Sequence, residues 1–188
     1  MGAVSLIRDR SRSEVESLRA AAAGDAGAVR WLLDEVAPIV HGFLYARVGG
    51  DVTAAEDLLQ ETVIEAVRSA AGFRGDALLS TWMCAIARRR LARHYEAERK
   101  AEVGRSRLRV VAESEVDESL EQAEQREEVA RALGRLPVLH RQVLVLKYLD
   151  ALSVDEIATE VGRSRVQVQS LLQRAREGLR RELGEQDG

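Results

Sequence analysis

Apolar residues recur at intervals of three and four positions along most of the chain, which is the spacing of an α-helix with one buried face. Glycine and aspartate at 24–25 and 49–51 predict turns, and Pro38 predicts a kink or a restart. No run of alternating β-branched residues is long enough to predict a sheet. The helices predicted for the first half are 14–23, 26–47, 54–70 and 80–99.

The clearest local pattern lies in the second half, where two short periodic stretches flank one glycine. Ser153 and Glu156 have the spacing of a capping box that begins a helix. Gly162 suits the left-handed conformation that ends a helix. Ser164 and Gln167 repeat the capping-box spacing at once. The pattern therefore predicts a helix, a tight turn and a second helix.

The second of these helices has two different faces. Its apolar face predicts packing against a small core and consists of Val168, Leu171, Leu172, Ala175 and Leu179. The centre of the opposite face consists of Val166, Gln169, Ser170 and Gln173. Four arginines and one more glutamine flank it, namely Arg165, Gln167, Arg174, Arg176 and Arg180. Because Gln pairs with adenine, and Arg with guanine or phosphate, this pair of helices indicates a DNA-binding helix-turn-helix. The alternative is a helical hairpin in a bundle with a solvated polar face.

The composition favours a protein built only of helices. Aromatic residues make up 4% of the 188 residues, there are two prolines, and helix-forming residues dominate. No apolar stretch is long enough to cross a membrane and no signal peptide is visible, so we expect a cytoplasmic protein without membrane insertion. The single cysteine, Cys84, excludes an intrachain disulfide.

Charge is distributed in blocks, although the formal net charge is only −3. Five acids and no base lie in 51–66, and nine bases against three acids lie in 88–109. Eight acids against one base follow in 113–128, and six bases against two acids lie in 163–183. Blocks of this size indicate surfaces for different partners, with plain solubility as the alternative.

The domain organisation follows from the same patterns. The stretch 101–128 is strongly charged, lacks aromatic residues and has a weak apolar pattern, which predicts a flexible acidic linker. A helix starting near Leu120 is compatible with its last part. The sequence thus predicts an all-α protein of two small helical domains, 1–100 and 129–188, the second of which contains the helix-turn-helix.

Three motifs, in matching order, resemble those of bacterial RNA polymerase sigma factors of the extracytoplasmic function (ECF, group IV) type. They are AEDLLQETVIEAV at 55–67, STWMCAIARRRLARHY at 80–95 and LSVDEIATEVGRSRVQVQSLLQRAREGLR at 152–180. The resemblance also includes the opening GDAGAVRWLL and the helix LPVLHRQVLVLKYL. It extends over nearly the whole chain.

The resemblance implies a partner for each half of the chain. The first domain would bind core RNA polymerase and the −10 promoter element, and the second would bind promoter DNA at the −35 element together with the polymerase flap. An anti-sigma factor that clamps the two domains is a further expected partner. The implied protein is not an enzyme and needs no cofactor.

Four residues match the polymerase-binding helix of these sigma factors. An acidic helix face that also carries an amide can meet a basic coiled coil through charge-assisted hydrogen bonds. Without the resemblance, the same pattern is typical of a solvated helix face. The implied polymerase-binding residues are Glu56, Asp57, Gln60 and Glu61.

Seven residues are implied in binding the −10 element. Melted DNA needs positive charge along its backbone and pockets for unstacked bases, and the loop 73–81 resembles the segment that holds a flipped base. Arg89 and Arg93 stand where the family often has Asn and Asp, so the −10 preference is not carried over. Trp82, in contrast, is expected in the core. The implied −10 residues are Phe73, Arg74, Arg88, Arg89, Arg90, Arg93 and His94.

Eight residues are implied in binding the −35 element. Gln167, Gln169 and Leu171 stand where relatives often carry Thr, Lys and Arg, so the usual −35 readout is not carried over unaltered. Leu171 lies on the apolar face here. The implied −35 residues are Ser164, Arg165, Val166, Gln167, Gln169, Ser170, Gln173 and Arg174.

No catalytic or metal-binding motif is visible in the sequence, and the three histidines are scattered. Two other classes of function stay open beside the sigma factor. One is a stand-alone helix-turn-helix regulator, and the other is a module that binds only proteins. A stand-alone regulator needs neither the acidic helix at 56–61 nor the basic helix at 82–95.

Overall fold

The computed structural model describes the backbone of residues 2–104 and 120–184 and the side chains of residues 12–102 and 124–184. Within these ranges the chain forms helices and turns and contains no strand, which confirms the all-α prediction. None of the described helices is both long enough and apolar enough to cross a membrane. The linker segment 105–119 lies outside the described residues, so its predicted flexibility stays a prediction.

Two compact units make up the chain. The first consists of Met1–Leu44 and Thr53–Ala92, and the second of Tyr45–Val52 and Arg93–Gly188. Each unit is therefore assembled from two separate stretches of sequence. The domain boundaries predicted near residues 100 and 129 follow the order of the motifs and stay a prediction.

The first half contains five helices joined by short turns. Between the second and third helices, Leu32–Val36 forms a π-helical turn just before Pro38. Because Pro38 has no N–H to donate four residues back, the chain widens there, and the N–H of Ala37 reaches the carbonyl of Leu32. The helices are α1 (Gly2–Ala22), α2 (Ala26–Trp31), α3 (Ala37–Arg47), α4 (Val52–Arg68) and α5 (Leu79–Gly104).

One buried carboxylate fixes α1 within the first unit. Leu18 and Ala21, on the inner face of α1, are 0% and 4% exposed. Glu14 lies on the same face, is also buried, and accepts a hydrogen bond of 2.7 Å from the backbone N–H of Leu79. This N–H belongs to the first turn of α5 and has no acceptor inside that helix. Glu14 therefore caps α5 from a different helix.

Three large side chains of α5 are buried. Ile86, Leu91 and Tyr95 are each 3% exposed. Trp82 is only half-buried, and its ring centroid lies 5.3 Å from that of Phe73. The prediction that Trp82 belongs to the closed core is therefore only partly right.

The second half contains the predicted helix-turn-helix. Ser153 and Glu156 form a complete capping box, and Gly162 has the left-handed φ of 64° that ends the first helix of the motif. Ser164 and Gln167 form the second capping box, with backbone-to-side-chain bonds of 2.9 and 3.3 Å. A π-helical turn, Val145–Leu149, extends the helix before the motif. The helices are α6 (Leu120–Arg135), α7 (Val138–Leu144), α8 (Val154–Val161) and α9 (Arg165–Gly184).

The apolar face of α9 closes the core of this second half. Val168 and Ala175 are 0% exposed, and Leu172 is 2% exposed. Leu171 is also buried, which confirms its prediction for the apolar face. Full burial of a leucine stabilises a fold by about 1.5–3 kcal/mol, so this face holds the motif in place and leaves the opposite face free.

A buried polar network lies within the second unit. The guanidinium of Arg47 is 2.8 Å from Asp150, with side chains 9% and 8% exposed. The Tyr95 hydroxyl donates to the carbonyl of Arg47, and its burial raises the pKa of this hydroxyl, so it stays a donor. The fully buried Arg141 pairs with Glu98 and lies over the Tyr95 ring, 5.8 Å from the centroid. Charged side chains from four separate segments of the chain are thereby paired inside the second unit.

Two glycines allow backbones to approach closely beside this network. A Cβ atom added to Gly134 of α6 would lie 2.2 Å from the carbonyl oxygen of Gly49. Gly49 itself has a φ of 72°, which side chains other than glycine rarely permit. Gly134 is therefore required by the close backbone contact. Gly49 is required by the same contact and by its left-handed conformation.

Candidate nucleic-acid and protein interfaces

Helix α4 presents one acidic face to solvent. Its inner face is closed by Ala55, Leu58 and Ala66, none more than 5% exposed. Ile64 lies one helical turn beyond Gln60 and is 48% exposed, so an apolar side chain extends the acidic face. Sequence reasoning missed Ile64, although its distance of four from Gln60 was a usable signal. The four predicted polymerase-binding residues are all exposed, namely Glu56, Asp57, Gln60 and Glu61.

One residue of this acidic face is paired with a residue predicted for DNA binding. Arg90 of α5 lies 3.1 Å from Glu61 and 3.2 Å from Glu65. Its guanidinium thereby joins α5 to α4 and is largely engaged. The predicted contact of Arg90 with −10 DNA stays a prediction, and such a contact with phosphate would have to replace two ion pairs.

Two other predicted −10 residues make contacts inside the fold, Phe73 as a buried residue and His94 as a half-buried one. Phe73 is 2% exposed and packs against Trp82, so its ring is not available for stacking on a base. The Nε2 atom of His94 is buried and lies 3.3 Å from Glu98, the partner of Arg141. The expectation that Phe73 stacks on a base is therefore corrected, and the DNA contact of His94 stays a prediction.

The remaining arginines predicted for the −10 element are exposed. Arg88 lies over the ring of Phe43, 5.3 Å from its centroid, which holds the guanidinium at the surface. Arg89 and Arg93 are one helical turn apart on α5, and Arg74 is exposed in the loop before it. Because guanidinium groups bind phosphate through paired donors, these four side chains suit a nucleic-acid backbone.

All eight residues predicted for the −35 element are exposed, Ser164 directly before α9 and the other seven on α9. Several are partly engaged within the motif. Arg165 is paired with Asp155 at 2.5 Å, the Gln173 amide is 3.3 Å from Glu177, and Arg174 donates to the carbonyl of Ser170.

Other exposed side chains at the start of α9 differ in whether the fold already uses their hydrogen-bonding groups. Ser164 and Gln167 are used in the second capping box, so Gln167 is not free to read a base while the cap is formed. Val166 is 73% exposed and can contact only an apolar group such as a thymine methyl. Gln169 is exposed on the same side.

Burial lowers the pKa of His140, and nearby Arg174 acts in the same direction. The imidazole of His140 is therefore mostly neutral at neutral pH.

These features define an all-helical DNA-binding protein of the helix-turn-helix class, with a separate acidic helix face in its first half. Comparison with known sequences identifies the family. Residues 32–101 match the family described as Sigma-70 region 2, and residues 126–179 match Sigma-70, region 4. The chain belongs to the ECF RNA polymerase sigma factors.

Three relatives illustrate the similarity. ECF RNA polymerase sigma factor SigM of Mycobacterium tuberculosis H37Rv is 32% identical over 180 residues, covering 92% of this chain and 86% of SigM. SigL from the same strain is 30% identical over 167 residues, covering 88% and 94%. BldN of Streptomyces coelicolor is 31% identical over 165 residues, and this chain spans only 62% of the length of BldN.

Proposed function

We propose that this chain is a promoter-specificity subunit of RNA polymerase, an ECF sigma factor of group IV that directs initiation through the −10 and −35 elements. The observation that carries the proposal is that both sigma-70 regions match in order within one chain, each on a described helical segment. A stand-alone helix-turn-helix regulator requires only the second of these regions. The comparisons favour the sigma factor for this reason.

The proposed domains and surfaces follow the sequence motifs. Residues 1–100 bind core polymerase and −10 DNA, 101–128 connect, and 129–188 bind −35 DNA. The polymerase-binding surface is the exposed acidic face of α4. Its carboxylates and amide can accept and donate hydrogen bonds to a basic helix, and Ile64 supplies an apolar contact.

The proposed DNA surfaces are narrower than the sequence alone implied. For the −10 element they comprise Arg74, Arg88, Arg89 and Arg93, all exposed. Arg90, Phe73 and His94 are left out because the fold engages them. For the −35 element the exposed face of α9 is retained whole, with Val166, Gln169 and Gln173 facing bases and the arginines facing phosphates. An anti-sigma factor is proposed as the partner that holds the protein inactive.

The experiment that tests this function is run-off transcription with core polymerase on a genomic promoter library. Addition of the chain should yield transcripts from a defined set of promoters. A stand-alone regulator would give no transcripts with core polymerase alone. Absence of promoter-dependent transcripts, together with failure to co-purify with core polymerase, would contradict the proposal.

A variant of α4 tests the polymerase-binding surface separately. Asp57→Ala combined with Gln60→Ala should weaken the affinity for core polymerase about tenfold or more. Both side chains are expected at the centre of the interface, and the polymerase groups that bind them would lose their partners. Asp34→Ala removes the same single charge from another exposed position and serves as the matched control. Both variants should keep the wild-type circular dichroism melt. Equal core affinity of the two variants would remove α4 from the interface.

A further inference from the structure

The second unit is built from two parts that differ in their packing. One part is the bundle α6–α9, and the other consists of two segments, Tyr45–Val52 and residues 93–104 of α5, which we call the anchor segments. The bundle has an apolar core of its own. Among the described residues, every member of this core, from Leu133 to Ala175, comes from the bundle and its turns. The anchor segments therefore lie outside the apolar core of the bundle.

Polar contacts join the anchor segments to the bundle. The guanidinium of Arg47 lies 2.8 Å from Asp150, and Glu98 is paired with the fully buried Arg141. Two further hydrogen bonds, of 3.1 and 3.3 Å, join Arg99 to Gln142 and the Val138 N–H to Glu102. Each of these contacts has one partner on an anchor segment and the other on the bundle.

A contact made of charged and polar groups can open at lower cost than an apolar core. When the two sides separate, the carboxylates and guanidinium groups regain water, whereas separated leucines would expose apolar surface. Interfaces between parts of one chain that move are typically more polar than permanent ones. The bundle can therefore leave the anchor segments with its apolar core intact.

The proposed function requires this separation. Arg93, proposed for the −10 element, and Arg174, proposed for the −35 element, both belong to the second unit. A compact unit of roughly 100 residues has a radius of gyration of about 13 Å and is roughly 35 Å across. Elements about 25 base pairs apart are separated by about 85 Å along the duplex. The closed second unit cannot reach both elements.

We propose that the pairs Arg47–Asp150 and Glu98–Arg141 form an autoinhibitory latch, which holds the bundle against the anchor segments in the free chain and opens in the holoenzyme. The inference rests on the proposed function and adds its regulation. Arg47 and Glu98 lie in the part that matches Sigma-70 region 2, and Asp150 and Arg141 in the part that matches region 4. Because only the open form spans a promoter, closure lowers the apparent affinity for core polymerase by the fraction of open molecules.

The first test measures the latch in the free, full-length chain by single-molecule energy transfer. Dyes are attached to Glu96→Cys on α5 and Glu160→Cys on α8, both exposed, in a Cys84→Ser background. Asp150→Ala should raise the population with the long distance about tenfold or more, because Arg47 regains water only when the contact opens. Arg47→Gln should have the same effect from the other side of the contact.

Glu124→Ala is the matched control, since it removes one negative charge from an exposed position of α6. It should leave the distance distribution unchanged. Far-ultraviolet circular dichroism should show the same helix content for all variants, because none of the changes lies in the core of the bundle. Distance distributions of Asp150→Ala and Arg47→Gln that equal that of Glu124→Ala would overturn the latch.

The second test uses affinity for core polymerase, where a latch and a merely structural pair give opposite results. Asp150→Ala should tighten the apparent affinity by up to about tenfold, since more molecules are open before binding. Arg47→Met combined with Asp150→Leu makes the contact apolar and should weaken the affinity about tenfold, because opening then exposes apolar surface. Weaker binding by Asp150→Ala at full helix content would overturn the latch.

The two tests separate the latch from the proposed function. Failure of the wild-type chain to bind core polymerase or to direct transcription rejects the sigma factor function, while the distances in the free chain still measure the contact. A wild-type holoenzyme that directs transcription and keeps the short dye distance rejects only the latch.

Discussion

The second unit contains two sets of arginines that differ in burial and in pairing. Arg47 and Arg141 are 7% and 0% exposed, and each is paired with an acid, Asp150 or Glu98. The arginines of α9 lie at the surface of the helix-turn-helix, and the contacts that they make are exposed. These are Arg165, Arg174, Arg176, Arg180 and Arg181.

The difference shows which arginines serve the fold and which remain for ligands. A buried guanidinium has lost its water, so it depends on its acidic partner, and removal of either one leaves an uncompensated charge. An exposed ion pair contributes about 0–1 kcal/mol and can be exchanged for a phosphate at little loss. Pairing and burial decide between the two roles, whereas the number of charges in a sequence block does not.

The largest expected effect comes from breaking the buried set. Arg141→Ala should lower the free energy of unfolding by about 3–5 kcal/mol, because Glu98 keeps its charge in a largely closed site without its partner. Urea denaturation monitored by circular dichroism measures the change. Arg180→Ala, on the exposed face of α9, should change stability by no more than about 0.5 kcal/mol.

A double variant sharpens this result. Arg141→Met combined with Glu98→Leu replaces the pair by apolar side chains of similar size and should recover much of the loss, since no charge is then left buried alone. Equal unfolding free energies for Arg141→Ala and Arg180→Ala would remove the distinction between the two sets of arginines.

A smaller effect is expected at the close backbone contact beside the network. Gly134→Ala would place a Cβ atom 2.2 Å from the Gly49 carbonyl oxygen, so the two segments must move apart, at a cost of about 1–3 kcal/mol. Gly42 is also helical but has nothing within 4 Å of an added Cβ, and Gly42→Ala should stabilise by up to about 1 kcal/mol. Opposite signs in urea denaturation are the expected outcome, and stabilisation by both would contradict the contact.

The features that the sequence predicted well are local. The helix-turn-helix depends on two capping boxes and one left-handed glycine, each set by residues three positions apart or by one residue alone. The apolar face of α9 follows from the same short-range periodicity. No knowledge of the rest of the chain is needed for these features.

The buried network was not predicted, because its partners lie far apart in sequence. Arg47 and Asp150 are separated by 103 residues, and Glu98 and Arg141 by 43. A signal was nevertheless present. Arg47 continues the apolar stripe of α3 after Val40 and Leu44, and a charged residue on a buried stripe requires a buried partner. The sequence indicates that such a partner exists and does not identify it.

The candidate interfaces also combine features that local sequence sets with features that helix packing sets. The exposure of the α4 and α9 faces follows from helical periodicity, and the structure agrees with it. The engagement of Arg90 with α4, and of His94 with Glu98, depends on how helices pack against each other. Family motifs alone therefore overestimated the number of free side chains on α5.

The smallest effect concerns two neighbours on the exposed face of α9. Gln173→Ala should alter the preference for one base of the −35 element by about 1 kcal/mol, at the low end for a base contact, because the amide must first leave Glu177. Arg174→Ala should weaken binding to all sequences about equally, since Arg174 lies on the flank that faces the backbone. Selection from randomised −35 sequences, with the wild-type chain in holoenzyme as reference, measures both.

The competition with Glu177 provides the control for this last comparison. Glu177→Ala frees the Gln173 amide and removes an acid from a face that approaches phosphates, so it should strengthen binding and sharpen the same base preference. It should not change unfolding free energy by more than about 0.5 kcal/mol, because Glu177 is exposed. If Gln173→Ala and wild type select the same −35 sequence, Gln173 does not read a base. The exposed face would then act through phosphates, Val166 and Gln169.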